Sequence, residues 1–169
     1  MSSHTYEFKL ATTPTELAAY FALRRLIFAE EQRLFQDHDE DELDAIAYPI
    51  VAIVPDSREV VGVVRIYEAQ SRLWYGGRLG THPHYRKGWQ IGKGLIQKAV
   101  TTANAWGCNQ FLATVQLQNV RFFQRLHWRS LEEINLRDRP HHLMEADLSY
   151  YPPNHEPRPS LLHPVKEAS

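Results

Sequence analysis

The residues best suited to chemistry run from His82 to Leu95, as His-Pro-His-Tyr-Arg-Lys-Gly-Trp-Gln-Ile-Gly-Lys-Gly-Leu. Two cations, Arg86 and Lys87, and a glycine, Gly88, precede a second glycine, Gly92, in what should be the first turn of a helix. Such a turn directs backbone N–H groups, the positive end of a helix dipole and basic side chains at one point. That is an anion site, and phosphate is its usual occupant. An ordinary glycine-containing strand-to-helix loop has the same composition, and short glycine motifs do not separate the two. A second loaded stretch, Asp37 to Asp44, packs six carboxylates into eight residues. It reads as a solvated loop, or as a metal site where several carboxylates converge. The regular ligand spacing of a calcium-binding loop is missing, so no metal is expected. Cys108 follows Gly107 with no basic neighbour in sequence to activate it and is not assigned as a nucleophile.

The elements that must position these residues alternate along the chain. Tyr6 to Leu10 reads as a first strand, and Thr13-Pro14 as the capped start of a helix whose apolar stripe runs from Leu17 to Glu31. Arg24 and Arg25 fall on the flank of that stripe. Pro49 to Val54 and Val60 to Tyr67 read as an antiparallel strand pair, with Arg65 pointing at a carboxylate. Trp74 to Thr81 is the next strand, and Gly76, Gly77 and Gly80 within it signal a bulge or the close approach of another backbone or a ligand. A helix from Ile91 to Trp106, a strand from Phe111 to Leu117 and a short helix from Asn119 to Leu126 follow. Leu131 to Leu136 and His142 to Tyr150 are predicted to pair through a connection at Arg137 to His141. This order predicts an α+β domain over residues 1–150, a mixed and mostly antiparallel sheet flanked by helices. Residues 151–169, with five prolines, read as a tail, either disordered or packed on the surface.

Composition excludes several classes. At 169 residues the chain is one domain with room for a core, and 43% hydrophobic and 23% charged residues are globular values. A net charge of −1 lacks the basic excess of a general nucleic-acid or membrane-surface binder. One cysteine rules out an internal disulfide, and the lack of a long apolar run or signal-peptide pattern makes a soluble cytoplasmic protein the expectation. A homodimer is the commonest assembly for such proteins.

Four features, spread over Tyr6 to Tyr150, together resemble the GNAT superfamily of acyl-CoA-dependent N-acyltransferases. Pro83-His84-Tyr85-Arg86 followed by Ile91-Gly92 resembles its coenzyme A pyrophosphate loop. Asn119 through Phe122-Phe123 to His127-Trp128 resembles its short helix. Arg24, Phe28, Glu31 and Gln32 with the acidic loop ending at Asp44 resemble a branch containing small acetyltransferases and acyl-homoserine-lactone synthases. Gln116 and Arg139-Pro140-His141 with Met144 are similar to the acetyltransferase side of that branch.

The resemblance implies a GNAT-like fold and acetyl-CoA as co-substrate, with the pyrophosphate held by Arg86, Lys87, Gly88, Trp89, Gln90, Ile91, Gly92 and Lys93. It places the pantetheine arm along a strand splayed at Leu79, Gly80 and Thr81, where a freed N–H could face the thioester carbonyl. Asn119, Phe122 and Phe123 belong to the same cofactor site. For proton transfer the implied residues are His141 first, then Gln116, Tyr75 and Glu68, with His82 more suited to ordering the strand end. Arg24, Phe28, Glu31, Arg65 and Arg78 fall at the acceptor pocket, several of them as an ion network with Asp44 beneath it. The chain departs from the family pattern at three points. Gln90 stands where the loop has a glycine, and one residue is inserted after Arg86. Phe123 stands where many relatives carry a tyrosine acid, and His127 replaces a helix-ending glycine. Tyr75 stands where the lactone synthases carry a glutamate. The expected activity is direct acetyl transfer to a small-molecule or peptide amine. The alternatives are an acyltransferase with another donor or acceptor, lactone synthesis included, and a degenerate acyl-CoA-binding module. The acidic loop suggests a cationic acceptor, though a solvated loop explains it equally.

Overall fold

Alternation within the apolar runs decides the sheet. In β2 (Tyr48–Ile53), Tyr48, Ile50 and Ala52 enter one apolar cluster while Val51 and Ile53 enter another. A strand buried on both faces reads as an unbroken apolar run, hence the absence of polar residues from Pro49 to Val54. A computed structural model describes residues 5–35 and 37–160. Its seven strands are ordered β1-β2-β3-β4-β5-β7-β6, with β1 at Glu7–Leu10, β3 at Val60–Gln70, β4 at Leu73–Thr81, β5 at Gln110–Gln116, β6 at Trp128–Leu136 and β7 at Arg139–Ala146. Neighbours pair antiparallel except β4 and β5, which run parallel. The mixed, mostly antiparallel sheet expected from the sequence is present.

Helix α1 (Pro14–Arg24) begins in a reciprocal cap: the Glu16 amide donates to the Thr13 hydroxyl at 3.1 Å and the Thr13 amide to the Glu16 carboxylate at 3.2 Å. Such a cap contributes about 1 kcal/mol. The helix continues as a widened π turn over Arg25–Glu31, where the Gln32 amide reaches the Ile27 carbonyl at 2.9 Å. Widened turns of this kind often mark functional sites. α1 and its continuation cover one face of the sheet; α2 (Gln90–Ala105) and α3 (Val120–Arg125) cover the other. At Gly94 a side chain would stand 2.1 Å from the Phe8 ring, so α2 sits on β1 only with glycine there.

The last hairpin differs from the expected one. Leu136 pairs with Arg139, and Arg137 and Asp138 form a two-residue turn at φ 51° and 61°. Both residues take left-handed backbone, which Asn, Asp or Gly would signal and Arg does not. Arg139, Pro140 and His141 therefore belong to β7 rather than to a connecting loop. Beyond β7, the chain to residue 160 lies along α2. Asn154 donates to the Thr102 hydroxyl at 2.8 Å, Trp106 donates to the Glu156 carbonyl at 2.7 Å, and Arg158 lies over the Trp74 ring at 5.0 Å. Residues 161–169 of the expected tail lie outside the described residues. Among the described residues no helix is long and apolar enough to cross a membrane.

Candidate active site

The parallel ladder between β4 and β5 is short. It pairs Leu73 with Gln110, Trp74 with Phe111 and Tyr75 with Leu112, and then the strands part. Beyond Tyr75 the facing edges of both strands lack a sheet partner, and they open into a cavity of about 340 Å³. Two features hold the strands apart. On β4, Arg65 pairs with Gly77 while Val63 pairs with Gly80, so one residue is extra at Arg78–Leu79, where Arg78 has φ 53°. On the other side, β5 turns to pair with β7. The bulge thus lies just before Gly80 and Thr81, which rejoin the ladder with β3. At Gly80 a side chain would meet Ile27 at 2.8 Å, so the space its missing Cβ leaves is taken by the π turn and not by a ligand.

Gln116 and His141 are register partners across β5 and β7, and both line the cavity. His141 Nδ1 lies 2.9 Å from the Arg139 carbonyl. A carbonyl only accepts, so Nδ1 is the donor, and in the neutral ring the accepting lone pair then falls on Nε2. Among the described residues Nε2 has no partner. The Gln116 amide donates to the Gln32 side chain at 3.3 Å, and its oxygen accepts from Gln118 at 2.6 Å. Tyr75 lines the cavity with its ring stacked on Tyr67, centroids 5.8 Å apart. Burial pushes the Tyr67 phenol up. Glu68 is not brought to the cleft. Arg65 and Tyr67 face the cavity two residues apart, and strand alternation sends Glu68 to the other face. There it accepts from the Arg72 amide at 2.7 Å and from Arg158 at 3.1 Å, which together hold its carboxyl below the usual range. His82 accepts from the His84 amide at 3.1 Å and so caps the turn after β4.

The acidic loop is solvated only in part: Asp37, Glu40 and Glu42 are exposed, while Asp39, Asp41 and Asp44 turn to arginines. Arg24 and Asp39 are both 0% exposed, and Arg24 Nε meets Asp39 at 2.7 Å. Arg24 also donates to Asp44 at 2.6 and 3.1 Å, and to the Tyr20 hydroxyl at 3.1 Å. Arg65 forks onto Asp41 at 2.7 and 3.0 Å and reaches Asp44 at 3.1 Å. Arg78 donates to the Asp39 carbonyl at 2.8 Å and its carboxylate at 3.0 Å. Burial would raise the Asp41 and Asp44 carboxyls, but Arg65 on the first and Arg24 on the second hold both below the ordinary range. Burial, and then repulsion from Arg65, lowers Arg78. The expected network beneath the pocket is present and larger than expected, though Glu31 is outside it. Among the described residues no three His, Cys, Asp or Glu side chains converge on a metal position. Cys108 is buried, which pushes its thiol up to about 11.

At the turn before α2, Arg86 does not point into open space. Its guanidinium forks onto Glu31 at 2.7 and 2.6 Å, and its Nε donates to the Thr81 carbonyl at 2.9 Å. Lys87 and Lys93 are exposed, and Gly88 takes φ 79°, a left-handed conformation that glycine adopts without strain. Trp89 occupies the N-cap without a side-chain hydrogen bond; Gln90 and Ile91 open the helix, and a Cβ at Gly92 would stand 3.5 Å from the Phe122 ring. The Trp89 ring, 52% exposed, rests on Phe122 at 4.9 Å with Arg125 over it at 4.9 Å. Asn119 and Phe123 line the cavity, Phe123 packing edge-on to Trp128 at 5.1 Å. His127, at φ 71°, ends α3 and stacks on Tyr150 at 3.5 Å, a capping position away from the cleft.

Phe28, Arg65, Arg78 and Leu79 of the expected residues also line the cavity, which crosses the sheet from the α2–α3 face to the α1 face. Gln32, part of the motif that carries the resemblance, lines it as well, as do Phe35, Tyr67 and Arg137, which were not singled out from sequence. Only Tyr67 had a usable signal, its alternation with Arg65.

A seven-stranded mixed sheet parting at its one parallel pair, with a glycine turn at the head of the following helix, defines an acyltransferase architecture. The family model for the acetyltransferase (GNAT) family matches residues 17–128, and the chain belongs to that family of acyltransferase enzymes. Among solved structures it is similar to a Lactobacillus plantarum protein provisionally described as an N-acetyltransferase, at 22% identity over 87% of this chain and 99% of that one, TM-score 0.74. It is also similar to Escherichia coli ElaA, at 22% identity over 86% and 100% of the two chains, TM-score 0.71. A third similar structure is BjaI, a CoA-dependent acyl-homoserine lactone synthase, at 16% identity over 86% and 84%, TM-score 0.68. At these identities the likeness is one of fold. No curated protein matches the chain.

Proposed function

We propose that the cleft transfers an acetyl group from acetyl-CoA directly to the amine of a small molecule or peptide. The observation that carries this reading is the contact of His141 Nδ1 with the Arg139 carbonyl, which leaves Nε2 as the accepting nitrogen of the neutral ring, on a residue lining the cavity where two strands part. The parted edges of β4 and β5 offer backbone groups to the amides of a pantetheine arm. The turn at Lys87–Gly92, with Lys93, offers charge and helix amides to a pyrophosphate. The thioester supplies the electrophile.

An ammonium acceptor has a pKa around ~10 and must lose its proton before attack. Nε2 of His141 takes that proton, directly or through a water held by Gln116 or Tyr75. The amine nitrogen then bonds to the acyl carbon as the carbon–sulfur bond breaks, and the electron pair leaves on sulfur. Phe123 has no proton to give. A thiol with a pKa near ~8.5 departs as thiolate without one. The nitrogen, cationic after attack, then loses its second proton to the departed thiolate, so the products are the amide, free coenzyme A and the one proton released through His141.

The test combines thermal shift with acetyl-CoA and longer acyl-CoAs with thiol release over a panel of amines. Acetyl-CoA should stabilise the protein, some amine should release thiol, and His141→Ala should lower kcat by roughly 10²–10⁴-fold with little change in coenzyme binding. Stabilisation without release for any acceptor would favour a binding module. No shift with any acyl-CoA would overturn both readings.

A further inference from the structure

The acceptor half of the cleft is cationic, and one of its cations has no counter-ion. Three arginines line the cavity, Arg65, Arg78 and Arg137, and no aspartate or glutamate does. Of the six acidic-loop carboxylates, from which a cationic acceptor was expected, Asp39, Asp41 and Asp44 are paired with Arg24, Arg65 and Arg78, and Asp37, Glu40 and Glu42 are exposed outside the cavity lining. Arg137 differs from the other two. Among the described residues it forms no ion pair; it donates to the Leu34 carbonyl at 3.0 Å and lies over the Phe35 ring at 4.1 Å. Glu30 and Asp37 line the hollow on its far side, but neither carboxylate comes within ion-pair distance of it. Its position is set by the hairpin turn, which is tied to the α1 face where Arg139 donates to the Gln32 carbonyl at 3.2 Å.

We propose that the acceptor is an amine that also carries a carboxylate, an amino acid or the like, with its carboxylate on Arg137 and its amine toward His141. This rests on the acetyl-transfer reading above and names its substrate class. A purely cationic amine would meet three guanidiniums and no carboxylate in the cavity. A carboxylate on Arg137 supplies the missing counter-ion and gains a charge-assisted, two-point contact. Arg137 and His141 line the same cavity, so one small molecule can present its two ends to them. Phe28, Phe35, Tyr67 and Tyr75 make the walls aromatic, so acceptors with an apolar or aromatic side chain fit better than polar ones.

The experiment compares each amino acid with its own carboxamide as acceptor, by thiol release from acetyl-CoA, in the wild type and in Arg137→Gln and Arg137→Lys. Short peptides with a free amine separate a free amino acid from a peptide end as the source of the carboxylate. The acids should exceed their amides in kcat/KM by about tenfold to a hundredfold, the scale of one charge-assisted contact. In Arg137→Gln that preference should collapse through KM, and Arg137→Lys should restore part of it. Amides equal to or better than acids, or a preference unmoved in Arg137→Gln, would overturn the proposal. If no amine of any kind releases thiol, the acetyl-transfer reading fails instead. The carboxylate site is then read by thermal shift with amino acids in the presence of coenzyme A, where equal response to acid and amide would overturn it.

Discussion

Arg86 and Glu31 lie 55 residues apart in sequence and are joined by two hydrogen bonds, at 2.7 and 2.6 Å. The pair ties the turn before α2 to the end of the π segment, and it lowers the Glu31 carboxyl and raises the Arg86 guanidinium, in each case chiefly through that hydrogen bond. We therefore expect Arg86 to serve the proposed coenzyme A site by holding the turn in place. Glu31→Gln and Arg86→Ala are expected to raise the dissociation constant for acetyl-CoA to a similar degree, measured by calorimetry. Lys87→Ala should weaken binding by about 1 kcal/mol, with a reduced salt dependence. A loss confined to Arg86→Ala, with Glu31→Gln silent, would mean that Arg86 contacts the phosphate itself.

The buried Arg24 is expected to be the most sensitive single position for stability. Its removal leaves Asp39, fully buried, and Asp44 without their main partner. Breaking a buried pair from one side costs about 3–5 kcal/mol. Arg24→Met should lower the denaturant midpoint by that amount, and a change under 1 kcal/mol, the usual worth of a surface pair, would show that the network is hydrated.

Acid should weaken the start of α1. Partial burial would raise the Glu16 carboxyl, but Lys9 at 2.7 Å and the Thr12 and Thr13 amides outweigh it and bring it to about 2. A carboxyl lowered in the folded state contributes stability that is complete above its unfolded value of about 4.5 and is lost as pH falls toward 2. Glu16→Gln should therefore flatten the pH dependence of the melting temperature between those values. An identical slope in wild type and variant would remove Glu16 from the acid transition.

Phe123→Tyr restores a phenol where the family's short helix carries one. In the proposed mechanism the thiolate leaves without an acid, so kcat is expected to change by less than about tenfold. A large gain in kcat, measured across pH, would show that protonation of sulfur limits the native enzyme.

Local signals carried most of the architecture. Thr13 and Glu16 start α1 through groups three residues apart, and the unbroken apolar run of β2 announces a strand covered on both faces. The acidic loop was legible as charge but not as structure. Nothing in the order of its residues says that Asp39 would be sealed against Arg24 while Glu40 stays exposed. The hairpin turn at Arg137–Asp138 was legible only as a longer connection from Arg137 to His141, because Asp138 signals left-handed backbone but Arg137 does not.

Sequence alone thus determined the family, the sheet flanked by helices and the glycine turn at the head of α2, since each follows from contacts a few residues long or from a motif. Tertiary structure decided which charged groups are free to act. Arg86, Glu68 and the loop aspartates find partners 15 to 90 residues away and are satisfied there. His141 Nε2 and the Arg137 guanidinium find none of that kind, and only the parting of β4 from β5 brings them to one cavity. Pairing between distant charges depends on the closed sheet, so the turn around Gly88 was readable at once while the acceptor end of the cleft was not.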